Sequence, residues 1–159
     1  MDQLPQNLKA LLQAIAEDSV ILLLSMGMAK ANKRGWKVYR SYTEDSCDIV
    51  LRRVHGTPQP GYRKELRLEV KARQNVITAR TGNQMHFQLT KAEYDSCHFL
   101  VAYWFDKHAF FVVPRSKLKP STSRKTHYRF IANVLKTGEY NDSSRKHLEK
   151  WDRVFALIQ

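Results

Sequence analysis

This chain of 159 residues is short of several things that would mark a familiar kind of protein. It has two cysteines, Cys47 and Cys97, with no CxxC or Cys/His cluster around them. That argues against a structural zinc site and for a reduced, intracellular (cytoplasmic) chain. Its six histidines, His55, His86, His98, His108, His127 and His147, show no HxH or HExxH spacing, so a zinc hydrolase is not expected. GxxxxGK[ST] is absent, which excludes a P-loop nucleotide site. GxSxG is absent too, and Ser46, beside Asp45 and Asp48, reads as turn chemistry rather than a nucleophile. The opening "MDQLPQNLKA" has no basic segment leading into an apolar stretch, so no signal peptide is expected. The most apolar run, "SVILLLSMGMA" (Ser19–Ala29), falls short of the roughly 20 residues of a membrane span and reads as a buried helix segment. No membrane partner is therefore expected. There is no internal repeat, low-complexity tract or linker.

Acidic residues are also scarce: 15 against 27 lysines and arginines, a formal net charge of +12. With 43% hydrophobic residues the chain can still bury a core, so the excess charge belongs to the surface of a single folded domain over 1–159. Such an excess favours a polyanionic partner, nucleic acid above all.

Periodicity sketches the fold. Residues 6–33 favour helix, with Leu8, Leu11, Leu12, Ile15, Leu22, Leu23 and Met26 at roughly helical spacing and Gly35 where a left-handed cap would fall. "WKVYRSY" reads as a strand, "TEDS" as a turn, and "CDIVLRRV" as a second strand. "HGTPQPGYRK" is a loop and "ELRLEVKAR" a third strand, apolar on one parity and charged on the other. The conformation of "QNVITARTGNQMHF" stays open, with Gly82 as a turn. Thr90 and Glu93 form a capping box that opens a helix, and "HFLVAYWF" and "AFFVVP" are apolar strands. A basic, serine-rich stretch follows. The last segment carries Leu148, Trp151, Val154, Phe155 and Ile158 on one helical stripe. This is an α/β (α+β) layout.

The charged parity of "LRLEVKAR" holds one carboxylate, Glu69, two residues from Lys71. If this strand pairs with the one starting near Asp48, the three side chains converge. Two neighbouring carboxylates repel each other and raise each other's pKa. A divalent cation relieves that repulsion, and Mg²⁺ suits a site of one or two carboxylates completed by water and phosphate oxygens. A lysine beside it can orient an attacking water. That is equipment for phosphodiester hydrolysis.

Asp48, followed by Glu69-Val70-Lys71, resembles the motif of the PD-(D/E)XK nuclease superfamily, whose fold is restriction-endonuclease-like. Glu17 in "AIAEDSV" matches the family's helix acid, and "RGWKVYRSYTEDSCDIVL" resembles its lead-in. Cys47 stands where the motif has proline. The resemblance covers about residues 10–115 and leaves a basic C-terminal extension, about 115–159. It implies a central mixed sheet of about five strands flanked by helices. It further implies a metal-dependent DNA endonuclease of homing or restriction type. A Holliday-junction resolvase of the same superfamily and a non-catalytic nucleic-acid-binding module are the alternatives. By resemblance, Asp48 and Glu69 ligate Mg²⁺ (or Mn²⁺), with the Val70 carbonyl as a further ligand. Lys71 orients the water, Glu17 reaches the site directly or through water, and Gln88 is a polar residue near it. Cutting two strands takes two sites, so a homo-oligomer is expected. For binding DNA phosphates the candidates are Arg40, Arg67, Arg73, Arg115, Lys117, Lys119, Arg124, Lys125 and Arg129. Tyr128 and Phe130 are read as either stacking or core residues.

Overall fold

A computed structural model describes residues 5–42, 47–57, 59–74 and 76–158. The "TEDS" turn, with Ser46, lies outside them. The elements run α1 (Gln6–Lys30), β1 (Trp36–Arg40), β2 (Ile49–Arg53), β3 (Glu65–Arg73), β4 (Ile77–Ala79), β5 (Gly82–Thr90), α2 (Lys91–Ser96), β6 (Phe99–Trp104), β7 (Ala109–Pro114), β8 (Lys119–Pro120), β9 (His127–Leu135), α3 (Asp142–Arg145) and α4 (Asp152–Phe155). One sheet is five-stranded and mixed, in the order β1-β2-β3-β6-β7, with β3 and β6 parallel and the other pairs antiparallel. The expected central sheet is present. A second, antiparallel sheet, β4-β5-β9-β8, packs on its other face.

Strand alternation sorts the side chains into two cores. Leu66, Leu68, Val70 and Ala72 of β3, with Phe99, Val101 and Tyr103 of β6, face α1 and α4. Leu100, Ala102 and Trp104 of β6, with Phe111 and Val113 of β7, face Met85, Phe87, Leu89, Phe130, Ala132 and Val134 of the second sheet. Strand β6 is therefore buried on both sides, as its unbroken apolar run requires.

The buried stripe of α1 differs from the expected one. Leu12, Ala16, Val20, Leu24 and Met28 pack on the sheet at strict four-residue spacing. Leu8, Leu11, Ile15, Leu22 and Met26 lie exposed on the opposite side. Small Ala16 and β-branched Val20 let the helix sit close to the sheet; of the expected residues, Leu12 and in part Leu23 reach the core. By length and composition α1 could cross a membrane; here it is the core helix of the mixed sheet. Its turn out of the helix uses Asn32, at φ 53°, and not Gly35. Gly27 lies beneath the Phe155 ring, where an added Cβ would come within 2.2 Å of Phe155 Cζ. That glycine lets α4 close on α1.

Three other expectations change. Gly82 begins β5 after a two-residue Arg80–Thr81 turn, because a Cβ there would stand 2.0 Å from the Val134 carbonyl oxygen. The basic, serine-rich stretch, 115–130, runs at its end into β9, which pairs with β5 over nine residues. The final helical stripe is split at Glu149, which has φ 51°. Its N–H donates to the Phe110 carbonyl at 2.8 Å and its carboxylate accepts from Phe110 N–H at 3.0 Å. Pairing with the edge of β7 outweighs helix continuation there. Val154 and Ile158 still reach the α1 core, while Leu148 packs into the other.

Candidate active site

The register of β2 on β3 pairs Ile49 with Leu68, so one further step sets Asp48 across from Glu69. Asp48 N–H still donates to the Leu68 carbonyl at 3.1 Å. Beyond it the strands diverge, and the carboxylate of Asp48 takes over, accepting the Val70 N–H at 2.7 Å. Gln13 of α1 completes the edge. Its amide nitrogen donates to the Val70 carbonyl at 2.7 Å and its amide oxygen accepts from Ala72 N–H at 3.1 Å. A side-chain amide thus imitates a neighbouring strand. The same nitrogen donates to Glu17 at 3.0 Å, which draws Glu17 to the fork where β2 leaves β3. Arg40 holds the other side of Glu17 at 3.6 Å and also pairs with Asp18.

Glu69 and Lys71 project from the opposite face of β3 to its buried leucines. Glu69 is only 3% exposed. Lys71 Nζ lies 2.5 Å from Glu69 and 2.8 Å from Glu93. Glu93 is fixed by the capping box of α2: its second oxygen accepts Thr90 N–H at 2.7 Å, while Thr90 Oγ1 accepts Glu93 N–H. The expected cap is therefore also a clamp on Lys71. The S/T-x-x-E pattern makes the cap visible in the sequence, but its contact with Lys71 depends on where α2 docks.

Electrostatics follow from this crowding. Burial pushes the Glu69 carboxyl up to about 8, with Lys71 opposing and Asp48 reinforcing the shift. Burial also raises Asp48; the Val70 N–H offsets part of this and Glu17 adds to it. For Lys71, burial works against the ammonium, but Glu69 and then Glu93 outweigh it and hold its pKa above the usual value. Among the described residues no three His, Cys, Asp or Glu side chains gather closely enough to cage a metal unaided. Asp48 and Glu69 do fit the smaller requirement of Mg²⁺, which fills its remaining positions with water and phosphate oxygens. The Val70 carbonyl keeps a second lone pair beyond the one Gln13 uses.

The structure thus brings together Asp48, Glu69, Lys71 and Glu17, and adds Gln13 and Glu93. Gln88 is on β5, two residues before the Thr90 cap. It alternates with core-facing Phe87 and Leu89, so it stands on the outer face of β5, in register with Arg129. Arg67 and Arg52 share Glu65, at 2.7 Å each. A groove of about 380 Å³ beside Cys47 is lined by Tyr39, Arg40, Tyr42, Arg52 and Arg67. Arg73 donates to the Ala72 carbonyl. Arg115 donates to the Asp95 carbonyl and lies over the ring of Tyr94, which stacks on Tyr128 with centroids 3.6 Å apart. Phe130 is core. Arg124 and Lys125 are exposed on the β8–β9 connection, and Lys117, Lys119 and Arg129 line a separate pocket.

No family profile and no curated protein matches the sequence. Solved structures do match. A bacterial homing endonuclease aligns with a TM-score of 0.55 over 97% of this chain and 94% of its own, at 20% identity. The Holliday junction resolvase Hjc of Archaeoglobus fulgidus aligns with a TM-score of 0.51 over 92% of this chain and 98% of its own, at 13% identity. The likeness establishes the fold as restriction-endonuclease-like.

Proposed function

From this fold, shared with two nucleases, we propose that the chain is a metal-dependent DNA endonuclease of the homing or restriction kind. One observation carries the reading: Asp48 and Glu69 meet at a sheet fork with Lys71 bonded to Glu69 at 2.5 Å. Asp48 and Glu69 would hold Mg²⁺, with Mn²⁺ able to substitute. When bound, such an ion lowers the pKa of a coordinated water and offsets charge on the phosphoryl oxygens. Glu69 would have Oε2 free for it, since Oε1 engages Lys71. An ammonium has three N–H donors. Glu69 and Glu93 use two, and the third is left to orient an attacking water. Glu17, bonded through Gln13 to the same strand edge, keeps Asp48 in a field of negative charge that favours cation capture.

The test uses supercoiled plasmid and, separately, a labelled four-way junction, each with Mg²⁺, Mn²⁺ or EDTA. Metal-dependent cutting that Glu69→Gln abolishes supports the reading. Cutting confined to the junction would favour a resolvase. Tight, metal-independent binding that Glu69→Gln leaves unchanged, with no cutting of either substrate, would favour the binding module.

A double-strand cut takes two sites, and a second copy of the chain is the simplest source. The exposed stripe Leu8, Leu11, Ile15, Leu22 and Met26 supports that reading, because burying it twice about a two-fold axis would remove the chain's apolar ridge from water. Sedimentation of Leu22→Lys beside the parent chain tests it: a dimer lost in the variant is the expected outcome.

A further inference from the structure

A second pocket, of about 270 Å³, lies in the C-terminal part of the chain, away from the sheet fork. Lys117, Lys119, Arg129 and Lys146 line it, with Asn133 and His147. No carboxylate is in its wall, and among the described residues none of these four cations is within ion-pair distance of an acid. Four uncompensated cations around one cavity repel each other, so the arrangement is one that an anion would complete.

The pocket is also built rather than loose. Ser144, fully buried, accepts the Asn133 N–H at 2.8 Å and so pins the 143–147 segment to β9. Arg153 braces the same segment from behind, donating to the Lys146 carbonyl at 2.6 Å and the Val112 carbonyl at 3.3 Å. Its guanidinium also meets His147 Nδ1 at 2.7 Å. The buried His147 ring registers the local field: burial first, then Arg153, Lys146 and Lys117, depress its pKa to about 4. Arg129 connects the pocket to the rest of the surface. It is the register partner of Gln88, two residues from the Thr90 cap that fixes Glu93 and, through it, Lys71.

We propose that this pocket is a second phosphate site, which holds a backbone phosphate of the nucleic acid at a distance from the bond to be cut. The proposal rests on the nuclease reading only for the identity of the polyanion. A phosphate oxyanion is the shared chemistry, and the experiment separates DNA from free phosphate.

Binding of a labelled DNA duplex is measured in EDTA over a salt series for the parent chain, for Lys117→Ala with Lys146→Ala, and for Lys107→Ala with Lys136→Ala. The last pair lies exposed at another cavity, beside β4 and the end of β9, and matches the charge change. Loss of one phosphate contact lowers the slope of log K against log salt by about one and weakens binding by about tenfold at 0.1 M salt. That result is expected for the first pair and not for the control. Equal slopes in all three proteins would overturn the site, even if the parent chain cuts DNA. A lowered slope in a protein that never cuts would uphold the site and remove the nuclease reading. The His147 ring signal in NMR supplies the other arm. If inorganic phosphate shifts it and DNA neither shifts it nor displaces the phosphate, the site binds free phosphate and the DNA assignment is overturned.

Discussion

Two basic territories of this molecule differ in what surrounds their cations. Around the sheet fork, Arg40 pairs with Glu17 and Asp18, Arg52 and Arg67 share Glu65, and Lys71 sits between Glu69 and Glu93. Around the second pocket, Lys117, Lys119, Arg129 and Lys146 have no such partners among the described residues. A net charge of +12 says nothing of this division. Cations tied to neighbouring acids are held in place and give little net attraction, which suits a site that must position charge at an atom. Uncompensated cations attract a polyanion without prescribing its geometry. On the proposed reading, chemistry and grip fall to different parts of the surface.

The largest effect should follow from breaking the first territory alone. Asp48→Asn, Glu69→Gln and Lys71→Ala should each lower metal-dependent cleavage about a hundred- to ten-thousandfold, while DNA binding in EDTA stays near the parent value. A single-turnover assay beside an equilibrium titration checks both halves. Glu93→Gln is milder. Glutamine still closes the capping box, but Lys71 loses a charged partner. Cleavage should fall by about tenfold in kcat with KM unchanged, and the alkaline limb of the pH–rate profile should move to lower pH, because Glu93 helps to hold the Lys71 pKa up. Glu65→Gln sharpens the comparison from the other direction. It releases Arg52 and removes one partner of Arg67, so DNA binding should tighten and its salt slope steepen by about one.

The smallest effect is on stability. Burial lifts Glu69 from 4.5 to about 8 in the folded chain, so between those values the folded state holds a proton that the unfolded state has lost. Stability from this group is therefore complete below pH 4.5 and declines as pH rises towards 8. In EDTA, the Tm of the parent chain should fall relative to that of Glu69→Gln across that window, by on the order of 10 °C. Metal binding requires the carboxylate, so added Mg²⁺ should raise the parent Tm most at the alkaline end.

Much of the first sheet could be read from the chain. Strand β6 is apolar on both parities, β3 alternates, and both signals are local. Thr90 and Glu93 announced α2 for the same reason. The convergence of Asp48 with Glu69 and Lys71 needed one assumption, that their strands are neighbours, and they are. What local pattern could not show was long-range. Gln13 is one polar residue on a helix until the open edge of β3 lies beside it. Strand β9 hides in a basic stretch because its outward residues, Arg129, Ile131 and Asn133, do not advertise the inward Phe130, Ala132 and Val134. The burial of Ala16 and Val20 rather than Leu11 and Leu22 on α1 was equally hidden, because it depends on how closely the helix approaches the sheet.

The edge of β3 has one more consequence. An unpaired strand edge invites foreign strands, and proteins ordinarily blunt such edges with charge, bulges or a covering segment. Here Asp48 occupies the Val70 amide, and Gln13 the Val70 carbonyl and the Ala72 amide. The acid proposed to hold the metal is thus also a stopper against intermolecular β-pairing. An Asp48→Ala variant would lose a ligand and uncap an edge in the same stroke, and its failures would mix lost chemistry with aggregation. Asparagine, which retains an oxygen for the Val70 amide, separates them.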